Sequence, residues 1–410
     1  MLKSLSETLV GSLEQSSVCE QVDLLRPPTG WFFASNRQFI LPFVISSLEG
    51  IDWRGFLGRP PLPAPSAEVL GRIADERILI TGAGGSIGSA LSLRLALLAP
   101  RELLLLDCSE SGLFALQNLL REVAPNCPPK LVLGSVLDRN LLDEIFDLHE
   151  PNLVFHAAAY KQVPLLEEHP FASIETNVFG TDTLAQAAAQ SKARLILLST
   201  DKAVEPASVL GATKRVAELI VLESGGTVLR LGNVLASSGS VAEVFAAQIA
   251  GSGPMTVTDP SACRYFLTVE EAVDLLLSAS MEPGHAQVLV PALPSQHFVA
   301  DLARFMARAL APDRKIDLEF TEPRPGDKES ERLFGSNERI EAVRASGLQS
   351  LFSPRTDAHT LQRTLTRLRR SLDARDLASA LADLHSLVPD HAPSTTLRLL
   401  VEQQTSRATT

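Results

Sequence analysis

Two short segments bring together residue types that can do chemistry. The first is TGAGGSIG, Thr81 to Gly88, between the apolar run RILI and the segment SALSLRLALL. Gly82 permits a tight turn, Gly85 lets backbone approach a pyrophosphate, and Gly88 lets a helix pack closely on a strand. Ser86, Ile87 and Gly88 would then offer backbone N–H groups from a helix N-terminus, whose dipole favours an anion. Asp107 closes the next apolar run about twenty residues on, where a carboxylate accepts bonds from a ribose 2′-hydroxyl. It would repel a 2′-phosphate, so NAD is favoured over NADP. The competing reading makes Asp107 a capping residue for the helix that starts near Ser109.

The second segment is LSTDKAVEPASVLGATK, Leu198 to Lys214. Thr200, Asp201 and Lys202 fall just past the carboxyl end of a strand, where ligands bind in a doubly wound sheet. An acid and a base side by side can handle two different protons. A lysine base must be neutral, so burial or a neighbouring charge has to pull its pKa down. Lys214, expected to open the following helix, could bond a ribose. The competing reading of Asp201 and Lys202 is a solvated loop pair.

Elements must hold these segments in place. The chain reads as strands at Arg77–Thr81, Glu102–Asp107, 130–134, 153–157, 194–199 and Thr227–Leu231. Segments with helical spacing lie between them, at Ser86–Leu98, Glu110–Val123, 141–148, 175–189 and 213–223. Strands alternating with helices predict an α/β fold, a doubly wound parallel Rossmann sheet. Past Val234 the rhythm changes. Helices near Val241–Ala250, 269–280 and Val299–Leu310 and a strand at Met255–Val257 suggest a smaller C-terminal substrate-binding lobe.

The predicted layout is an N-terminal appendage with a Pro-rich linker (1–66), a dinucleotide-binding domain (67–233), the lobe (234–350) and a helical tail (351–410). Within the appendage, residues 2–25 have loose helical periodicity and Trp31–Ile45 form an apolar patch, expected to dock on the main body. The linker is RPPLPAPS, a stiff, extended composition. In the tail, helices are read at 361–372 and 374–387, with Pro389 and Pro393 stopping further helix.

Composition narrows the class. The 410 residues are 45% hydrophobic and 21% charged, with 37 basic against 48 acidic side chains. That balance fits a globular protein and speaks against general nucleic-acid binding. The four cysteines are scattered with no CxxC, and the eight histidines lack metal-ligand spacing. A disulfide framework and a metal site are therefore not expected. No run of about 20 apolar residues could span a membrane, and no signal core opens the chain. The expected location is cytoplasmic.

In one order, TGAGGSIGS, LDCSE, HAAAYKQVP, NVFGT, STDKAVEP, GATKRVAE, RLGNVLASSGSV, RYFLT and RPGDK run from residue 81 to residue 328. Together they resemble the nucleotide-sugar 4,6-dehydratases of the extended short-chain dehydrogenase/reductases. More narrowly, they are similar to the polysaccharide-biosynthesis group acting on UDP-N-acetylglucosamine, without its membrane region. The resemblance spans about residues 57–394. It implies oxidation at carbon 4 by bound NAD, loss of water across carbons 5 and 6, and hydride return to carbon 6. It makes Asp201 the acid and Lys202 the base, gives Thr200 the carbon 4 hydroxyl, and gives Lys214 the nicotinamide ribose. It adds Ser109, Val136, Ala157, Ala158, Ala159, Asn177 and Ser199 to the cofactor site.

A nucleoside diphosphate needs cations and amides, and arginine binds two oxygens at once. By the resemblance Arg264 and Arg324 clamp the diphosphate, Asn233 touches the nucleotide and Lys161 faces the sugar; isolated surface ion pairs are the competing reading for the arginines. A homo-oligomer is expected through helices 175–189 and 213–223, although alanines there suit core packing equally.

Three departures stand out. Leu210 occupies the position of the usual tyrosine, four residues before Lys214, so the carbon 4 proton must leave by Asp201 or water. Ser135 stands where the group has aspartate, and Gln162 where it has histidine. Tyr160 and Tyr265 sit in other motifs and are not assigned as the base. Two further readings stay open: a UDP-sugar epimerase or 5-epimerising dehydratase, and a pseudoenzyme that only binds NAD or a nucleotide sugar.

Overall fold

The computed structural model describes Leu48 and residues 50–408. The periodicity of residues 2–25 and the patch Trp31–Ile45 lie outside the described residues. Six apolar runs form strands β1 (Arg77–Thr81), β2 (Glu102–Asp107), β3 (Lys130–Leu133), β4 (Leu153–His156), β5 (Arg194–Thr200) and β6 (Thr227–Leu231). Their interiors are unbroken runs such as ILI and LLLL because both faces of the sheet are covered. Alternate residues serve opposite sides: Leu79, Leu104, Val154 and Leu197 join one core, Ile78, Leu105, Phe155 and Ile196 the other.

The six strands pair in parallel in the order 3-2-1-4-5-6. Chain order reverses between β1 and β4, which opens a crevice outside the carboxyl ends of the strands. Both chemistry-bearing segments begin at that end, after β1 and after β5.

The sheet continues past β6. Gln287–Pro291 pairs parallel to β6, and Leu348–Phe352 and Arg339–Val343 follow antiparallel, giving nine strands. Helix Val269–Ala279 packs on helix Ser86–Leu98. The expected border at 233/234 therefore runs through one continuous sheet, and the strand Leu348–Phe352 likewise crosses the border at 350/351. What remains of the lobe is a core of Phe245, Ile249, Met255, Leu302 and Met306. Leu48 and Leu57 belong to that core, so the described end of the appendage packs on the lobe.

The Pro-rich stretch is fastened rather than free. The Arg59 guanidinium donates to both oxygens of Glu271 at 2.6 and 2.8 Å, and the Leu62 N–H donates to the same carboxylate at 3.0 Å. Glu271 also completes a capping box with Thr268.

The tail holds three helices, Ala358–Asp373, Leu377–Leu387 and Thr395–Ala408. Pro389 and Pro393 interrupt the helical tail without ending it. Helix Val209–Glu223, the expected partner-binding helix, receives the first two tail helices on its surface. Leu365, Leu368, Leu381 and Leu384 share a core with its Val216, Leu219 and Ile220. From Val209 to Leu222 every residue but Arg215 is buried within its own chain. The expected intersubunit interface is thus corrected for this helix: no face of it is left for a second subunit. The other candidate, expected as one helix over 175–189, is a π-helical turn at Ile174–Phe179 followed by helix Gly180–Gln190. Arg369 of the tail stacks 3.7 Å over the Phe179 ring there. No helix among the described residues is long and apolar enough to cross a membrane.

Candidate active site

The glycine loop is shaped as its spacing predicts. Gly82 has φ +72°, and a Cβ there would lie 2.5 Å from the Ala158 nitrogen. A Cβ on Gly88 would lie 2.0 Å from the Gly82 carbonyl oxygen. Only hydrogen fits at either place. The close approach also sets Ala157 and Ala158, which follow β4, against the loop. Helix Ser86–Leu98 starts after Gly85 with no side-chain cap. The N–H groups of Ser86, Ile87 and Gly88 have no acceptor among the described residues. An uncapped helix start facing the crevice suits a pyrophosphate.

Asp107 stands at the end of β2 and accepts from the Gly84 N–H and the Ser109 N–H, both at 2.8 Å. The helix cap is Ser109, whose hydroxyl accepts from the Gly112 N–H at 3.1 Å. Asp107 therefore ties the glycine loop to the next helix and keeps lone pairs for a ribose. Val136 is buried where a Cβ on Gly180 would come within 2.8 Å of its methyl. Asn177, inside the π-helical turn, accepts from the Tyr160 N–H at 2.9 Å and donates to the Tyr160 carbonyl at 3.1 Å. It holds the 157–161 loop, so it shapes the site through backbone.

His156 escaped the sequence reading. It is buried at the end of β4, with Nδ1 2.7 Å from the Thr81 hydroxyl and Nε2 2.9 Å from the Thr181 hydroxyl. Burial and the nearby Lys214 push its pKa down to about 3, so the ring is neutral. Its signal was the histidine closing an apolar strand opposite Thr81.

Past β5 the expected cluster is assembled. The Thr200 hydroxyl donates to Asp201 Oδ1 at 2.9 Å. Lys202 Nζ donates to the same oxygen at 3.0 Å and to Asn233 Oδ1 at 2.9 Å. Asp201 is 0% exposed, which rules out a solvated loop pair. Its Oδ2 is buried and has no hydrogen-bond partner among the described residues. An orphaned acceptor in a ligand crevice is available to a substrate hydroxyl.

The expectation for Lys202 is corrected. Burial works against its ammonium, but the carboxylates of Asp201 and Glu331 outweigh burial and hold its pKa above the ordinary range. At rest the lysine carries its proton and Asp201 accepts from it. Lys214 takes the lowered value instead: burial brings it to about 8, against the pull of Glu218. It lies in the second turn of helix Val209–Glu223 rather than at its start, and donates to the Leu198 carbonyl at 2.7 Å. Leu210 is packed in the core beside it.

Other expected contacts fall differently. The Ser199 hydroxyl donates to Glu218 at 2.6 Å, and so turns into a buried charge cluster on the far side of β5. Arg264 is buried and donates to the carbonyls of Cys263, Lys328 and Glu329 at 2.7, 2.7 and 3.0 Å. It braces the segment after RPGDK instead of presenting a free fork. Arg324 is half exposed and shares only its Nε with Asp327, at 2.8 Å, which leaves its terminal nitrogens open. Lys161 is exposed and makes no hydrogen bond or ion pair among the described residues. Ser86 also accepts from the Ser238 N–H at 2.9 Å, which brings the 235–240 loop over the glycine loop.

The strand order, glycine loop and lysine of the helix after β5 define a Rossmann-type α/β protein of the short-chain dehydrogenase/reductase kind. Residues 78–350 match the family described as polysaccharide biosynthesis protein, and the chain belongs to that family. It is 36% identical over 300 residues to the probable polysaccharide biosynthesis protein EpsC of Bacillus subtilis, covering 71% of this chain and 50% of that one. The chain thus spans half the length of that relative. It is 35% identical over 284 residues to a UDP-glucose 4-epimerase of Rickettsia rickettsii, covering 65% of this chain and 80% of that one. Among solved structures, Pen from Bacillus thuringiensis superposes with a TM-score of 0.64 at 27% identity, covering 69% of this chain and 89% of that one.

The glycine loop carries one prediction. Gly88→Ala is expected to weaken dinucleotide binding at least about tenfold, since a loop shift that costs about 1.4 kcal/mol suffices. Calorimetric titration with NAD measures it. Equal affinity in the folded variant would mean the loop does not hold the pyrophosphate.

Proposed function

We propose that the protein is an NAD-dependent 4,6-dehydratase of a UDP-N-acetylhexosamine, with UDP-N-acetylglucosamine the first candidate. The observation that carries this reading is the Lys202–Asp201 pair with its aspartate buried, Thr200 beside it and one carboxylate oxygen unpartnered. The cradle at Gly82 and Gly88, with the uncapped helix start, fits NAD. NAD, when bound, supplies the hydride acceptor for carbon 4 and the hydride donor for carbon 6.

The resting ion pair has its proton on the wrong partner for the expected roles. Transfer of one proton from Lys202 to Asp201 along their 3.0 Å bond converts it to an amine and a carboxylic acid. Desolvation as substrate closes the crevice favours that neutral pair. The amine then takes the carbon 5 proton, and the acid gives its proton to the departing carbon 6 hydroxyl. Water leaves, and the pair returns to ammonium and carboxylate; Lys202 then gives its proton to carbon 5 as carbon 6 is reduced, and solvent, which took up the carbon 4 hydroxyl proton during oxidation, reprotonates the pair. Thr200 holds the carbon 4 hydroxyl, Arg324 meets the diphosphate with its open nitrogens, and Lys161 faces the sugar.

Similarity to an epimerase favours a second reading, inversion at carbon 4. Against it stands Leu210, a buried hydrocarbon where the usual tyrosine would carry the proton. Mass spectrometry of the purified protein with UDP-N-acetylglucosamine and NAD in heavy water separates the readings. The expected product is lighter by one water and carries one deuterium. An isomer of unchanged skeleton supports the epimerase. An unchanged sugar that still protects the protein against heat supports a binding role.

A further inference from the structure

Glu331 is a buried carboxylate that the sequence did not single out. It is 2% exposed, and its Oε1 lies 3.8 Å from Lys202 Nζ. Its Oε2 lies 2.6 Å from Lys328 Nζ. The segment that carries it is pinned from four sides. Arg264 holds the carbonyls of Lys328 and Glu329. The Cys263 N–H donates to the Glu329 carbonyl at 2.9 Å. Gln296 donates to the Glu331 carbonyl at 2.7 Å, and Lys328 donates to the Val204 carbonyl at 2.9 Å. The Glu331 side chain is thereby delivered to one place, beside the nitrogen that Asp201 and Asn233 hold from the other direction.

We infer that Glu331 is a positioning residue for Lys202: it holds the lysine nitrogen against Asp201 and governs whether that nitrogen keeps its proton. The inference rests on Lys202 being the proton carrier of the reading above. The charges facing Lys202 are Asp201, Glu331 and Arg264. Those facing Glu331 are Lys202, Asp201 and Lys328. Burial and Arg264 oppose the ammonium, and the two carboxylates sustain it. Without Glu331, Asp201 alone faces Arg264, and Lys328 loses its anion next door. The sign follows: Lys202 gives up its proton at lower pH.

Competitive acetylation with trace acetic anhydride, read on the Lys202 peptide from neutral to alkaline pH, tests this on the full chain without any sugar. Glu331→Gln keeps the shape and removes the charge. The midpoint of Lys202 labelling is expected to fall by about one pH unit or more. Glu331→Asp should restore most of it. Lys328→Met, which leaves Lys202 as the one cation facing Glu331 beside Asp201, should move the midpoint upward and keeps the inference testable if Glu331→Gln does not fold. The alkaline fall of kcat should follow the labelling midpoint, with KM little changed, because the working pair must still hold its one shared proton. An unmoved midpoint in both Glu331→Gln and Lys328→Met overturns the inference. Absence of sugar conversion by the unaltered protein would overturn the dehydratase reading while leaving the labelling to judge Glu331 by itself.

Discussion

Asp201→Asn and Lys202→Met are each expected to lower sugar turnover by at least about 100-fold, the usual scale for losing a positioned acid or base. Asparagine keeps the Oδ1 acceptor for Thr200 and Lys202, 2.9 and 3.0 Å away, and loses the charge, the proton-carrying ability and the second acceptor oxygen. Lys202 still faces Glu331 in that variant, so the fold should be little disturbed. Methionine keeps the length of the lysine stem but strands Asp201 as a buried carboxylate. Its thermal stability must therefore be measured beside its rate, because a broken buried pair is itself costly. The double variant is the more informative. If one proton shuttles within the pair, removing both partners costs little more than the larger single loss. Fully multiplied effects would mean two independent groups. Unchanged turnover in both single variants would remove the pair from the chemistry. The measurement is single-turnover formation of the dehydrated sugar, with NAD affinity checked separately so that cofactor loss is not mistaken for lost chemistry.

The parallel sheet was legible because its signal is local. Strands β1, β2 and β6 have the bounds that their apolar runs predict, and helices Ser86–Leu98 and Glu110–Val123 likewise. The glycine loop and the Thr200–Asp201–Lys202 cluster were legible for the same reason: spacing along the chain sets their geometry. What escaped is long-range. Nothing near Gln287 announces that its strand joins β6, because the pairing is decided by which sheet edge is open. Nothing local announces the raised value of Lys202, because Glu331 comes from a segment far along the chain. Arg264 matched a motif, yet its donors go to carbonyls that only the folded loop brings near. The alanines of helices 175–189 and 213–223 suited a partner and a core equally. The tail's leucines decide for the core at the second helix, and they lie more than 130 residues further on.

The same long-range character marks the group that holds β5 in place, and here the expected effect is on stability. Arg230 of β6 uses all five of its donors. It bonds Glu218 twice at 2.8 Å, Glu338 at 2.7 and 3.0 Å, and the Leu333 carbonyl at 3.2 Å. Arg215 adds a second cation at 2.8 Å from Glu218. Burial would raise the Glu218 pKa, but Arg230 outweighs it and brings the value to about 2. Arg230→Met leaves two buried carboxylates with Arg215 alone, and should cost about 3–5 kcal/mol in unfolding free energy. The pH dependence carries the argument. In the native cluster the depressed Glu218 pKa contributes stability above its ordinary value of 4.5, and that stability is lost as pH falls toward about 2. In Arg230→Met the buried carboxyls instead take up protons on folding, so the variant loses stability as pH rises past their unfolded values. The gap between the two proteins in urea unfolding should therefore narrow from neutral pH to about 4.5. A gap independent of pH would mean that lost packing, not stranded charge, is what the substitution costs. Combining Arg230→Met with Glu218→Gln should recover part of the loss, since one stranded charge goes with its partner. It should not recover turnover. Glu218 also accepts the Ser199 hydroxyl at 2.6 Å, and Ser199 immediately precedes Thr200 and Asp201. The buried cluster and the proposed proton-carrying pair thus meet at one strand end, and a change in the first is expected to be read out in the second.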